Sequence, residues 1–570
     1  MKKNIFNIKN MKWALLAGVL TLASCDLDEK YYTEVLPETF YESQQNVYAA
    51  VNRPYTHTRW FTERDRWRLQ ELTGDAFCVT TKGQHWYNGA VFQRFHHHDW
   101  TADDEMIWDT WRVGTMGIAL AMEVQEDLDK YADYDKLGFT SEDKKNHQMQ
   151  LQTIIGYLYM RCLDFFGGMP VFESLNVKNV PRASATETFN HVEKLLKESI
   201  PYLKTKSDIS ANVDGELTQA AGAMMLAQLY FNAKSYTGTD MFGKCEEICK
   251  DILDGKYGLY TLDTTWQGPH TFDNDRSPEI IWGFPGQNAK LQYDWFWADF
   301  YHYESFKYFN LEGGANNGVH MQPSRKPTDE LYTDDDFRLG RPYEKFHTKD
   351  LRKKPYVYLG NKEYEGMFLV GDQMNPQTKE WCMGSQEYKG EQISLVDRVA
   401  RYKDADIDYH TGGDIRSTIA DGEETSGIRL VKVPQPNLTD KTLRWNSDHP
   451  HFRLAEVYYM YAECLLRKGE KAEAAKYIND VRKRNFENGQ DPDPVTTENL
   501  DDKGYRMLDE WLTEFLGEGR RRTDLIRWDK FLTEKWWDHE ATANEARLIF
   551  PVPTKAISGD NTLQQNPGYN

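Results

Sequence analysis

Residues 453–484, RLAEVYYMYAECLLRKGEKAEAAKYINDVRKR, constrain the fold of this chain more than any other stretch. Large Tyr458 and Tyr461 precede small Ala462 on one face of a first helix, and Gly469 supplies the turn. Ala474 then allows close approach on a second helix, backed by Ile478 and Val481. The spacing predicts two antiparallel helices packed face to face. Taken alone, the unit fits a generic helical hairpin as well as a repeat.

Further pairs tip that balance. A helix predicted over 105–131 (Trp108, Trp111, Ile118, Leu128) precedes one over 147–166 (Leu151, Ile154, Ile155, Leu158, Tyr159), which Gly167-Gly168 and Pro170 stop. A second pair spans 187–204 and 216–234, another helix runs over 244–254 to Gly255, and a final pair lies near 505–531. The expectation is a mostly α, tetratricopeptide-like helical-repeat scaffold of about four helix pairs. Residues 261–450 break the pattern. They are rich in Gly, Pro, Asp and aromatics, so they are expected to form a large loop-rich, aromatic-rich insertion carrying the binding surface.

The N-terminus reads as an address. Lys2, Lys3, Lys9 and Lys12 precede an apolar run from Trp13 to Ala23, too short to span a bilayer, and Leu22-Ala23-Ser24-Cys25 then resembles the lipobox of bacterial lipoproteins. Residues 1–24 are expected to be a signal peptide, with Met1 or Met11 as the start. Cys25 is expected to carry the lipid that anchors the protein to a membrane. The division continues as an acidic tether to residue 40, a helical half over 41–260 with an N-terminal ligand loop, the insertion over 261–450, and C-terminal helices over 451–570. Removing four lysines with the signal moves the formal charge from −20 to −24, which disfavours nucleic acid as a partner.

The remaining six cysteines, Cys78, Cys162, Cys245, Cys249, Cys382 and Cys464, form no CxxC pair, and most of them are read as core residues. The motifs GxSxG, HExxH, GxxxxGK and GxGxxG are absent, which argues against an enzyme. His96-His97-His98-Asp99 suggests a metal, but adjacent side chains on a strand point to opposite faces, so a polar strand or loop is expected instead. Asp273, Asp275 and Glu279 lack the central Gly of a calcium loop. No cofactor and no metal are expected. Aromatic residues make up 14% of the chain, including 17 Trp and 33 Tyr, a composition suited to stacking on the C–H faces of sugars.

Three segments with the lipobox resemble the SusD/RagB family of outer-membrane nutrient-binding lipoproteins of Bacteroidetes. They are ELTGDAFCVTTKGQHWYNG (71–89), DFFGGMPVF (164–172), and EFLGEGRRRTDLIRWDKF (514–531) with the closing IFPVPTKAI and QQNPGYN. The resemblance implies a glycan ligand and a SusC-like TonB-dependent outer-membrane transporter that this protein covers. It implies no catalysis. It places Asp75, Trp86 and Asn88 in a ligand loop, with Lys82 where arginine is more usual. From the residues themselves, the aromatic segment 291–309 supplies Tyr293, Trp295, Trp297, Tyr301 and Tyr303 as further ligand-binding candidates, with about half its rings expected to be core. Glu518 and Arg520–Arg522 are read as holding the fold. A helical-repeat adaptor for peptides, and less so a glycoside hydrolase, are the alternatives.

Overall fold

The structure is a computed structural model that describes residues 37–211, 215–286, 299–309, 315–385, 388–401, 416–434 and 447–569. Its elements are labelled α1 (Val91–His96), α2 (Glu105–Tyr131), α3 (Ser141–Phe166), α4 (Ala185–Ser199), α5 (Gln219–Phe231), α6 (Phe242–Leu253), α7 (Leu454–Lys468), α8 (Lys471–Arg482), α9 (Tyr505–Glu514) and α10 (Arg521–Arg527). Short strands include β1 (Phe77–Val79), β2 (Ile280–Phe284), β3 (Val319–Met321) and β4 (His449–Arg453). Among the described residues, no helix is long and apolar enough to cross a membrane.

The scaffold is the expected stack of helices. α2 packs on α3, α3 on α4, α5 on α6, and α7 on α8. Small residues set the spacing between α2 and α3: a Cβ on Gly114 would sit 2.3 Å from Cys162 Sγ. α3 begins six residues before its predicted start, because Thr140 and Asp143 form a reciprocal capping box that satisfies two amides of the first turn. It ends at Gly167, whose φ of 72° is open to glycine. α6 also packs directly on α7, about 200 residues later. The helical stack therefore runs on as though the intervening segment were spliced out. β2 and β4, at the two ends of that segment, pair antiparallel with Phe452 opposite Trp282.

A buried charge network ties the intervening segment to the C-terminal helices. Glu514 Oε1 accepts from Arg453 Nη1 (2.8 Å) and Arg484 Nη2 (2.9 Å), while its Oε2 accepts from Arg352 Nη1 (3.1 Å). Glu518 takes Lys432 Nζ and Arg453, and Glu279 takes Arg453 and Arg484. Each of these side chains is at most 14% exposed. Glu279 belongs to this network and not to a calcium loop. The three arginines after Gly519 are structural as read: Arg520 pairs with Glu456 and Asp524, Arg521 with Asp75, and Arg522 with Asp164. All six described cysteines are buried and unbridged. Cys245 and Cys249 lie on one face of α6 with their sulfurs 3.8 Å apart.

Candidate functional site

The strand β1 feeds a loop whose backbone is held in an unusual shape. Cys78 faces His320 across the β1–β3 pair. Beyond it Gly83, Trp86, Asn88, Gly89 and Ala90 all have φ between 43° and 65°. Glycine and asparagine enter this left-handed region readily, whereas Trp86 and Ala90 cost of order 1–3 kcal/mol each, so tertiary contacts must hold them.

Those contacts are visible. Trp86 donates Nε1–H to the Asn316 carbonyl at 2.8 Å. Its ring packs tilted on Phe92, 5.7 Å between centroids, and lies flush on Gly318, where a Cβ would come 2.5 Å from the ring edge. Arg94 Nη1 donates to the Gly89 carbonyl at 2.6 Å. The result is a partly exposed indole of fixed orientation, flanked by exposed Tyr87 and Asn88. A rigid ring beside an amide loses little entropy when a flat ligand stacks on it.

The 316–318 segment also joins this loop to the end of the aromatic segment. Asn317 N–H donates to the Tyr301 carbonyl and Gly318 N–H to that of Asp299, each at 2.8 Å. Tyr303, half-buried, donates its hydroxyl to Glu424 Oε2 at 2.5 Å, and Ser385 Oγ donates to the same carboxylate. Burial, then Glu424, pushes the Tyr303 phenol well above its ordinary range, so it stays a neutral donor. The two places picked from the sequence thus meet through Asn316–Gly318. In the sequence, the glycine- and asparagine-rich run GGANNG (313–318) is the signal for this irregular backbone.

Other expectations change. Asp75 is fully buried, and both of its oxygens are taken: Arg521 Nε and Nη2 bind it at 2.6 and 2.9 Å, and Gly340 N–H at 2.8 Å. Burial opposes its charge, but Arg521 outweighs burial and holds the carboxyl below its usual value. It anchors the loop's base and has no free oxygen for a ligand. Tyr301 is a core ring, 5% exposed, packed on Phe309. Lys82 is buried too, its Nζ 3.0 Å from the Gly318 carbonyl. Tyr293, Trp295 and Trp297 lie outside the described residues. A concavity of about 930 Å³ opens between segments 48–60, 143–150, 204–211 and 215–218, and contains none of the residues picked from the sequence.

The histidine run is neither strand nor polar loop. His96 closes α1, His97 caps it, and His98 turns left-handed at φ 57°. His96 and His98 are each 1% exposed and bond the carbonyls of Trp537 and Thr73. Burial keeps both neutral, with His96 lowered to about 4 and His98 to about 3.

A helical stack with a strand-bearing insertion and an aromatic loop at its edge defines a class, and comparison with known proteins identifies it. The chain belongs to the SusD family, whose model matches residues 278–569. It is 24% identical over 476 residues to the starch-binding protein SusD of Bacteroides thetaiotaomicron, covering 76% of this chain and 74% of that one. A SusD superfamily protein from Parabacteroides distasonis superposes with a TM-score of 0.64 at 15% identity, over 92% of this chain and 99% of that one. Surface glycan-binding protein A from Bacteroides thetaiotaomicron, in complex with laminarihexaose, superposes with a TM-score of 0.60 at 16% identity, over 92% and 99%. SusD family proteins are non-catalytic glycan-binding proteins, in line with the motifs missing from this sequence. The Trp86 loop lies outside the residues that the family model matches.

Proposed function

We propose that this protein is a cell-surface glycan-binding lipoprotein, anchored through acylated Cys25, that captures an oligo- or polysaccharide and passes it to a TonB-dependent outer-membrane transporter. The observation that carries the ligand class is the Trp86 loop. Its indole is pinned at the edge, partly exposed, set beside Asn88 and Tyr87, and joined through Asn316–Gly318 to the aromatic segment. Stacking with a few neutral hydrogen bonds gives shallow binding, with Kd of about micromolar to millimolar. A relative named for binding starch and a structural neighbour in complex with laminarihexaose support a glucan as the first class to try. A glycan array probed with the mature protein is expected to light a neutral polysaccharide class. A blank glycan array with clear signal on peptides favours the adaptor.

Delivery to a transporter rests on the family resemblance and on a helical half that carries no catalytic chemistry of its own. Mild detergent extraction of cells bearing a tagged chain is expected to recover a large β-barrel protein at near-equal amounts. Recovery of the lone chain under several gentle detergents argues against it.

A further inference from the structure

α1 follows directly on the Trp86–Ala90 loop, so whatever fixes its far end also fixes the loop. At that end one ring nitrogen each of His96 and His97 and one carboxylate oxygen of Asp538 lie within 4.8 Å of one another. His97 Nε2 and Asp538 Oδ2 are 3.2 Å apart. Two ligands on a tetrahedral ion with bonds of about 2.0–2.1 Å stand about 3.3 Å apart, so this pair already has the edge length of such a shell. Asp538 Oδ2 also accepts Ile419 N–H at 2.8 Å, an outer contact of the kind that orients a ligating carboxylate. His96 bonds the Trp537 carbonyl through Nε2, which must carry the proton in that bond. Its Nδ1 is then a bare lone pair, buried and without a partner among the described residues. A neutral histidine with one nitrogen tied to a carbonyl is the form in which imidazole binds metal.

We infer that His96, His97 and Asp538 form a binding site for a zinc-class divalent transition ion, clamping the end of α1 to the 536–539 turn. Imidazole with carboxylate suits zinc, nickel or copper, whereas calcium and magnesium take oxygen shells. The side chains of His97 and Asp538 are 39% and 20% exposed, which gives an ion an entry path and leaves room for water as a fourth ligand. The simpler account is a histidine–carboxylate ion pair. It explains His97 and Asp538 but gives the buried lone pair of His96 nothing to do.

The test uses the untagged mature protein, dialysed against chelator and then offered zinc alone. Calorimetry and metal analysis are expected to show one equivalent bound, with a higher unfolding temperature that EDTA reverses. His97→Ala and Asp538→Asn, both at partly exposed positions and expected to fold, should each weaken zinc binding at least tenfold. His347→Ala should leave it unchanged. Cobalt(II) loading should give the intense visible bands of a four-coordinate site in the parent and not in His97→Ala. Absence of zinc uptake, or uptake unaltered by both substitutions, overturns the site and leaves an ion pair only.

Discussion

Glu514→Ala is expected to destabilise the protein by about 3–5 kcal/mol, read as a lower urea midpoint with an unchanged slope. The carboxylate is 4% exposed and meets Arg352, Arg453 and Arg484 at 2.8–3.1 Å. Removing it leaves three buried guanidinium groups with less countercharge. The loss should exceed that of an exposed pair such as Lys250–Asp254, whose attraction solvent screens. The same cluster sets the acid limb of stability. Burial pushes Glu514 and Glu518 up, but the arginines and Lys432 outweigh it and hold both well below the usual carboxylate range. Arg527 and Arg467 likewise hold Glu463 at about 2. Carboxylates depressed in the fold contribute fully above their unfolded value of about 4.3, and that contribution is lost as pH falls toward 2. Urea titrations should therefore show stability falling steeply below about pH 4.5, and Glu514→Ala should flatten part of that slope. A parent equally stable at pH 3 and pH 6 contradicts the network's role.

Trp86→Ala is expected to weaken the glycan identified by array at least tenfold, about 1.4 kcal/mol, by calorimetry. The ring cannot be replaced from nearby, because the Asn316 carbonyl and Gly318 hold it in one orientation. Gly318→Ala provides a second reading: its Cβ would push the indole from its seat without deleting it, so binding should fall there too. Asp75→Asn separates anchor from contact. It should lower the unfolding midpoint through Arg521 and Gly340 while leaving the affinity of the folded fraction near that of the parent. If Trp86→Ala and Gly318→Ala both bind like the parent, the site lies elsewhere, and the concavity beside Trp60 becomes the next surface to test.

What the sequence determined by itself is the part governed by local periodicity and punctuation. Apolar residues three and four apart marked α2 to α8, Gly167 and Gly469 marked their ends, and the large–small–Gly–Ala order of 453–484 implied the hairpin, because short-range packing rules act within one or two turns of chain. The roles of Glu518 and Arg520–Arg522 were legible too: a run of guanidinium groups after Gly517-Glu518-Gly519 needs countercharge. What only the tertiary structure decided are questions of partner and depth. Asp75 lies on a glycine-punctuated loop in sequence, yet Arg521, over 400 residues away, takes its carboxylate into the core. Tyr301 and Tyr303 stand two residues apart, and one packs on Phe309 while the other reaches Glu424. On a strand His96 and His97 would point to opposite faces, but at the end of a helix they converge with Asp538. Burial and long-range pairing depend on which distant segments pack together, and periodicity within a single segment does not record that.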